Sequence, residues 1–460
     1  MEEKLRTESD TMGKVELPAW AYWGAQTQRA VENFTVSEAR IPRAMVRALA
    51  LIKKYAARTN AYLGLVDEKL ARAIDQAATE VLDGEWKDHF PIDVFQTGSG
   101  TSWNMNMNEV IANRANELLG QPLGTKNPVH PNDHVNRGQS SNDVIPAAIH
   151  IANRMEAERL ISALEKLYRA LDEKAAEFSA VVKIGRTHLQ DAVPMTLGQE
   201  FSGYATQIGK AIVRVRNVLP NLEELALGGT AVGTGINCDP EFAPLVCKGI
   251  SEHTDLPFKP AGNKFEAIAS RDAQVELMGA LNTLATSLMK IANDLRILAS
   301  GPRAGLGEIT LPSLQPGSSI MPGKVNPVIP EMVIQVAARV CGQAVAVTIA
   351  GQNAPLELNM MNPLIAYETL TAMELITKTA GAFAEKCVAG IVADDERCAY
   401  WIEWSLALVT PLATEIGYER AAAIAYRAFK EKRAVRDVAR EEKVLPDEKL
   451  DELLDPKKMI

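Results

Sequence analysis

Residues 142–178 contain no glycine and a single early proline, Pro146. Apolar side chains at Ile145, Ile149, Ala152, Leu160, Leu164, Leu167 and Leu171 recur along them at spacings of three, four and eight. That spacing keeps one face of a helix apolar over its whole length. Asn142 or Asp143 is expected to cap its start. Similar patterns run over 197–227, 265–299, 330–350 and 363–388. A helix of about 30 residues is roughly 45 Å long, far beyond the average globular helix. Five such segments predict an all-α fold built on a central bundle of long helices. Some are apolar on more than one face, as at Val333, Ile334, Val336, Ala337, Val340, Ala344, Val345 and Val347. A helix apolar all round must be buried all round. One chain cannot supply that much cover, so an oligomer whose helices pack between subunits is expected.

The flanks differ from the centre. Residues 1–139 form a mixed N-terminal domain, with short helical stretches broken by Pro42, Gly64, Gly84 and Pro91. Residues 140–389 form the central long-helix domain, and 390–460 a small helical C-terminal domain, charge-rich from Glu419 and Arg420 onward.

The charge balance, 58 acidic against 49 basic residues and a formal −9, argues against a nucleic-acid partner. An anionic ligand would have to be met by local positive groups. The first residues, Met1, Glu2, Glu3, Lys4, Leu5 and Arg6, are charged and lack the apolar core of a signal peptide. No apolar run approaches a membrane span, so a cytoplasmic protein with no membrane partner is expected. The five cysteines never form a Cys-x-x-Cys pair, which suits reduced, packed thiols. The six histidines are scattered without zinc-ligand spacing, so neither a metal nor an iron–sulfur site is expected. The glycines at 228, 229, 233 and 235 lack the strand-to-helix setting and downstream acid of a dinucleotide fingerprint.

Several short segments carry chemistry. Gly317-Ser318-Ser319-Ile320-Met321-Pro322-Gly323-Lys324-Val325-Asn326-Pro327 belongs in neither helix nor strand. It reads as an ordered loop offering hydroxyls, N–H groups, an ammonium and an amide to an anion. Gln96-Thr97-Gly98-Ser99-Gly100-Thr101 and Gln139-Ser140-Ser141-Asn142-Asp143 each suit either a helix cap or a carboxylate site. The two roles are compatible, because a helix N-terminus itself attracts anions. Gly185-Arg186-Thr187-His188-Leu189-Gln190-Asp191 places a histidine in a polar break between two long helices. A carboxylate could tune it to move a proton near neutral pH, and Glu331, at a helix start after Pro330, is the candidate. Glu331 could equally just complement a helix dipole. His130-Pro131-Asn132-Asp133 is a turn sequence in its own right. Trp103 is assigned to packing.

Taken together and in order, these segments resemble the motifs of the class II fumarase family within the aspartase/fumarase superfamily. Trp23-Gly24-Ala25-Gln26-Thr27-Gln28 and the 228–235 glycines join them, so the resemblance covers nearly the whole chain. It implies a homotetramer with active sites assembled from three chains. It also implies reversible hydration of fumarate to L-malate, a step of the tricarboxylic acid cycle, without metal or organic cofactor. By resemblance, Ser318 matches the base that takes the C3 proton, His188 the proton donor and acceptor, and Glu331 the carboxylate that charges it. Ser99, Gly100, Thr101, Ser140, Ser141, Asn142, Thr187, Ser319, Lys324, Val325 and Asn326 match substrate-binding positions. His130, Pro131, Asn132 and Asp133 match a second, outer carboxylate site.

Aspartate ammonia-lyases share the loop signature and are the alternative. A non-catalytic structural relative is a further one, though it would be expected to lack Ser318, His188, Lys324 or Glu331. The sequences at 96–99, 227–230 and 263–267 favour fumarase. Val328-Ile329-Pro330 and the tail from Leu454 to Met459 lean the other way.

Overall fold

The computed structural model describes residues 4–460; Met1, Glu2 and Glu3, on which part of the N-terminal expectation rests, lie outside the described residues. The chain begins with an antiparallel hairpin, β1 (Leu5–Asp10) and β2 (Gly13–Pro18). Four helices follow: α1 (Ala25–Asn33), α2 (Arg43–Tyr62), α3 (Glu68–Asp83) and α4 (Thr101–Leu118). Next come α5 (Ser141–Glu177), the hairpin β3 (Val182–Thr187) and β4 (Gln190–Thr196), and α6 (Leu197–Leu222). Then follow α7 (Phe242–Thr254), α8 (Lys264–Ala269), α9 (Asp272–Leu298), α10 (Val328–Gly351) and α11 (Asn362–Lys386). The tail holds α12 (Asp395–Trp404), α13 (Thr410–Ile416), α14 (Tyr418–Glu431), α15 (Val435–Glu441) and α16 (Asp447–Leu453).

The chain divides into two compact units. The first takes the residues up to Ile161, Val213–Thr283 and Arg339–Ile376. In it α2 packs on α3 and on α7, and Leu49, Ile52, Ala56, Ile74 and Ile250 of these helices are all buried. The second takes Ser162–Ile212, Leu284–Ala338 and Thr377–Ile460. The tail helices of this unit bury Ile402, Leu412, Ile424, Val438 and Leu450 against Ile184 of β3.

The five long helices form, with four corrections. The 265–299 segment is two helices. Ser270 sits in extended backbone between α8 and α9, and its Oγ accepts from Asp272 N at 3.2 Å. Arg271, buried, turns back and donates to the carbonyls of Ala267 and Ile268, so α8 ends on a guanidinium. The 197–227 helix stops at Leu222 and passes into a two-residue parallel pairing with Lys259 and Pro260. At the start of α10, Pro330 falls inside the first turn, where an N–H would have no intrahelical partner anyway.

The largest difference is at 185–191. This is no loop break but an antiparallel hairpin, with a shift of register between Ile184 and Arg186. His188 and Leu189 are its two turn residues, with φ of 57° and 59°. Two consecutive left-handed residues are what a tight turn with the twist of its strands demands. The polar, glycine-poor sequence carries no signal for it.

The fourth correction concerns membranes. By length and composition α10, 24 residues with a window hydropathy of 1.6, is apolar enough to cross one, contrary to the expectation that no run approaches a span. Only 28% of that window is buried in the chain, and Val345 and Ile349 are over half exposed.

Candidate functional site

Two helix N-termini meet in the first unit. Gly100, at φ 77°, turns the chain into α4. Gly98 lies so close to Met360 that a Cβ there would fall 1.9 Å from its carbonyl oxygen. The glycines are therefore what lets this loop sit where it does. Ser99 Oγ lies 2.7 Å from Thr101 Oγ1, which lies 2.8 Å from Ser141 Oγ in the first turn of α5. Three hydroxyls thus form one chain across two helix starts, where backbone N–H groups and helix dipoles favour an anion.

The cap of α5 is Ser140, not Asn142 or Asp143. Its Oγ accepts from Asn142 N at 3.2 Å, and Asp143 Oδ1 reaches back to Ser140 N at 2.9 Å. This reciprocal pair satisfies two end groups at once. Asn142 Nδ2 donates to Ala231 O at 2.8 Å. Asp143 Oδ2 accepts from Gly228 N and Thr230 N at 3.1 and 3.0 Å, which is what the glycine-rich 228–235 segment does here. Burial raises the Asp143 carboxyl to about 6, with those N–H groups and Lys53 opposing the rise. Burial also lowers the Lys53 ammonium to about 7, opposed by Asp143.

His130 caps a single five-residue turn, Pro131–Val135. Its Nδ1 lies 3.3 Å from Asn132 N and 3.2 Å from Asp133 N, which cap the turn on it, and 3.3 Å from Asp133 Oδ2. Its own N–H donates to His134 Nδ1 at 2.8 Å.

In the second unit His188 stands at the exposed tip of the β3–β4 hairpin, beside exposed Thr187. Ions hold the hairpin's base. Lys183 Nζ lies 2.6 Å from Glu200 and 3.0 Å from Glu308, and Arg186 lies 2.8 Å from the other oxygen of Glu308. Glu308 has no exposed surface, and the two cations pair its buried charge.

The 317–327 loop is irregular, as its residues require, and it closes on itself. Gly317 N donates to Lys324 O at 2.8 Å, and Asn326 Nδ2 donates to Gly317 O at 2.7 Å. Ser318 Oγ accepts from Ile320 N at 3.2 Å and Met321 N at 3.0 Å. Two N–H donors on one hydroxyl oxygen favour its deprotonated form. Ser319, Lys324 and Val325 are largely exposed. Lys324, Asn326 and Glu331 help line a cavity of about 680 Å³, together with Arg296, Ser300 and Thr310.

Within each unit, then, the structure gathers the predicted residues into groups: the hydroxyls of α4 and α5, the His130 turn, and the 317–326 loop with Glu331. It does not join His188 to Glu331. No hydrogen bond or ion pair links them among the described residues of one chain, and Glu331 is exposed in the first turn of α10. Sequence reasoning missed Lys53, the two-sided role of Asp143, and Glu308. Lys53 had a signal: it falls on the same stripe of α2 as Leu49, Ala56 and Asn60, where an apolar residue is expected.

A family profile described as Lyase matches residues 13–342, and one described as Fumarase C C-terminus matches 408–460. The first of these spans most of the chain and defines it as a lyase. The class II fumarate hydratase of Neisseria meningitidis is 52% identical over 456 residues, spanning 99% of each chain. Fumarate hydratase 2 of Arabidopsis thaliana is 52% identical over 459 residues, 99% of this chain and 92% of that one. The class II fumarase of Schistosoma mansoni, a solved structure, superposes with a TM-score of 0.96 at 43% identity and 99% coverage of both chains. A fumarate lyase:delta crystallin of Brucella melitensis, solved bound to cobalt, gives 0.95 at 46% identity with the same coverage. This chain belongs to the class II fumarate hydratase family.

Proposed function

We propose that this chain is a hydro-lyase that interconverts fumarate and L-malate. The observation that carries it is Ser318 Oγ holding two backbone N–H groups beside Lys324 and Asn326. In the dehydration direction Ser318, as alkoxide, takes the C3 proton of malate. The electron pair moves into the neighbouring carboxylate as a dianionic aci form, where Lys324, Asn326 and loop N–H groups meet the charge as it develops. Collapse to the double bond expels hydroxide, which leaves as water on taking a proton from His188. Glu331 is assigned to keep His188 charged. Ser99, Gly100, Thr101, Ser140, Ser141, Asn142 and Thr187 are assigned to the substrate, with Ser319 and Val325, and His130, Pro131, Asn132 and Asp133 to an outer dicarboxylate site.

The working form in this reading is a homotetramer in the cytoplasm. Its chains divide into 1–139, 140–389 and 390–460, and each active site draws on more than one chain. Support comes from α10, whose uncovered apolar side needs a neighbour. Partner chains would also supply the His188–Glu331 pairing that a single chain lacks. Two inactive variants, His188→Asn and Lys324→Ala, should regain part of the activity when denatured and refolded together. Mixed tetramers that form and stay inactive would place both residues in one chain's contribution.

The function itself is tested by ultraviolet absorbance. Fumarate mixed with the protein should lose absorbance without ammonium, at a rate that EDTA does not change. A loss that needs ammonium would replace the hydration reading with ammonia addition.

A further inference from the structure

A lysine in a helix core is costly unless its ammonium is used. Lys53 has no exposed surface. Its Nζ donates to Asn136 Oδ1 and to Gln139 Oε1, each at 2.9 Å. Asn136 is held further, accepting from Asn104 Nδ2 at 3.2 Å and donating through Nδ2 to Gln139 O at 3.0 Å. Gln139 Nε2 donates to Val135 O and Arg137 O at 3.1 and 3.2 Å, and Asn60 Nδ2 donates to Arg137 O at 3.1 Å.

Residues 135–139 are thus pinned largely by side chains. They join the His130 turn at one end to Ser140 at the other. Lys53 brings a buried ammonium into this web, and it acts electrostatically on Asp143 in the first turn of α5. With its ammonium lowered to about 7, Lys53 carries its charge over only part of the neutral range, and while charged it adds to the field an anion meets at that helix N-terminus.

We propose that Lys53 is a positioning residue for dicarboxylate binding: it fixes the 135–139 strap, and through it the Ser140–Ser141–Asn142 start of α5. It touches no substrate itself. The proposal rests on the hydration reading for the ligand's identity only. It predicts a loss of binding with little loss of turnover, since the chemistry belongs to other residues.

The test is Lys53→Met, which keeps the length of the side chain and removes the charge. Binding of succinate, a dicarboxylate that cannot react, is read by titration calorimetry, and fumarate hydration by absorbance. We expect succinate Kd and fumarate KM each to rise about tenfold or more, with kcat within about threefold, the pattern of lost uniform binding. Gln139→Leu removes one acceptor, leaves the charge buried, and should show a smaller shift of the same kind. Lys54→Met is the control: that lysine pairs with Asp75 at 3.0 Å, and its loss should leave succinate affinity unchanged.

Unchanged succinate affinity in folded Lys53→Met and Gln139→Leu would overturn the proposal. So would kcat, affinity and melting temperature falling together, which is what a merely structural lysine gives. If Lys53→Met does not fold, Gln139→Leu decides by the same measure. A wild-type protein that binds succinate and does not hydrate fumarate would overturn the hydration reading and leave the succinate comparison of the variants to decide on Lys53.

Discussion

Ser318→Ala is expected to lower kcat by about 10²–10⁴-fold, the usual worth of a positioned general base. Circular dichroism and the melting temperature should stay near wild type. The loop's closure does not run through this hydroxyl alone: Gly317 still bonds Lys324 O, and Asn326 still bonds Gly317 O. What disappears is the oxygen that Ile320 and Met321 N–H groups hold. KM should change little, because that oxygen is assigned to proton transfer and not to holding a carboxylate. A variant keeping more than about a tenth of wild-type kcat would remove Ser318 as the base, since that is less than any positioned base contributes.

Malate dehydration should exceed aspartate deamination by at least about a thousandfold in kcat/KM, because a site that pairs one polar group rejects its mismatch by up to about 10⁴–10⁵-fold. The two reactions remove the same kind of proton and differ in what leaves, hydroxide or ammonia. The 317–327 loop therefore cannot tell them apart. The groups around the leaving group must, and Thr187, His188 and Asn142 are the candidates. A neutral hydroxyl both donates and accepts, whereas an ammonium only donates. A coupled assay for fumarate and ammonia release from each substrate measures the ratio. Comparable values for aspartate would sink the hydratase assignment.

The long helices were legible because their signal is local and repeated. In α5 the stripe from Ile145 to Leu171 runs on without interruption, and each of its residues is fully or nearly fully buried. The break at Ser270 was hidden because Arg271, which ends α8 by capping carbonyls from inside the core, looks from sequence like any surface arginine. The His188 hairpin was hidden for the opposite reason. Its turn uses left-handed backbone at His188 and Leu189, where no glycine or asparagine announces it.

The site was legible as residue types and not as geometry. Ser99, Thr101 and Ser141 could be named, but that they form one hydroxyl chain depends on Gly98 passing close to Met360, a contact across more than 250 residues of sequence. Glu308 lies far in sequence from Lys183 and Arg186, and no spacing rule connects them.

The irregular register of the β3–β4 hairpin has a consequence for parity. Between the Ile184–Pro194 and Arg186–Asp191 pairings β3 advances two residues and β4 three, so the extra residue lies on β4. The pairs nearest the tip, Arg186 with Asp191 and Thr187 with Gln190, are thereby set one step out of phase with those at the base. Lys183 and Arg186, one from each side of that slip, close on one carboxylate, Glu308, and Arg186 stands two residues before His188. The direction in which the histidine is offered is thus counted out across the hairpin, by a single odd residue beside a buried anion.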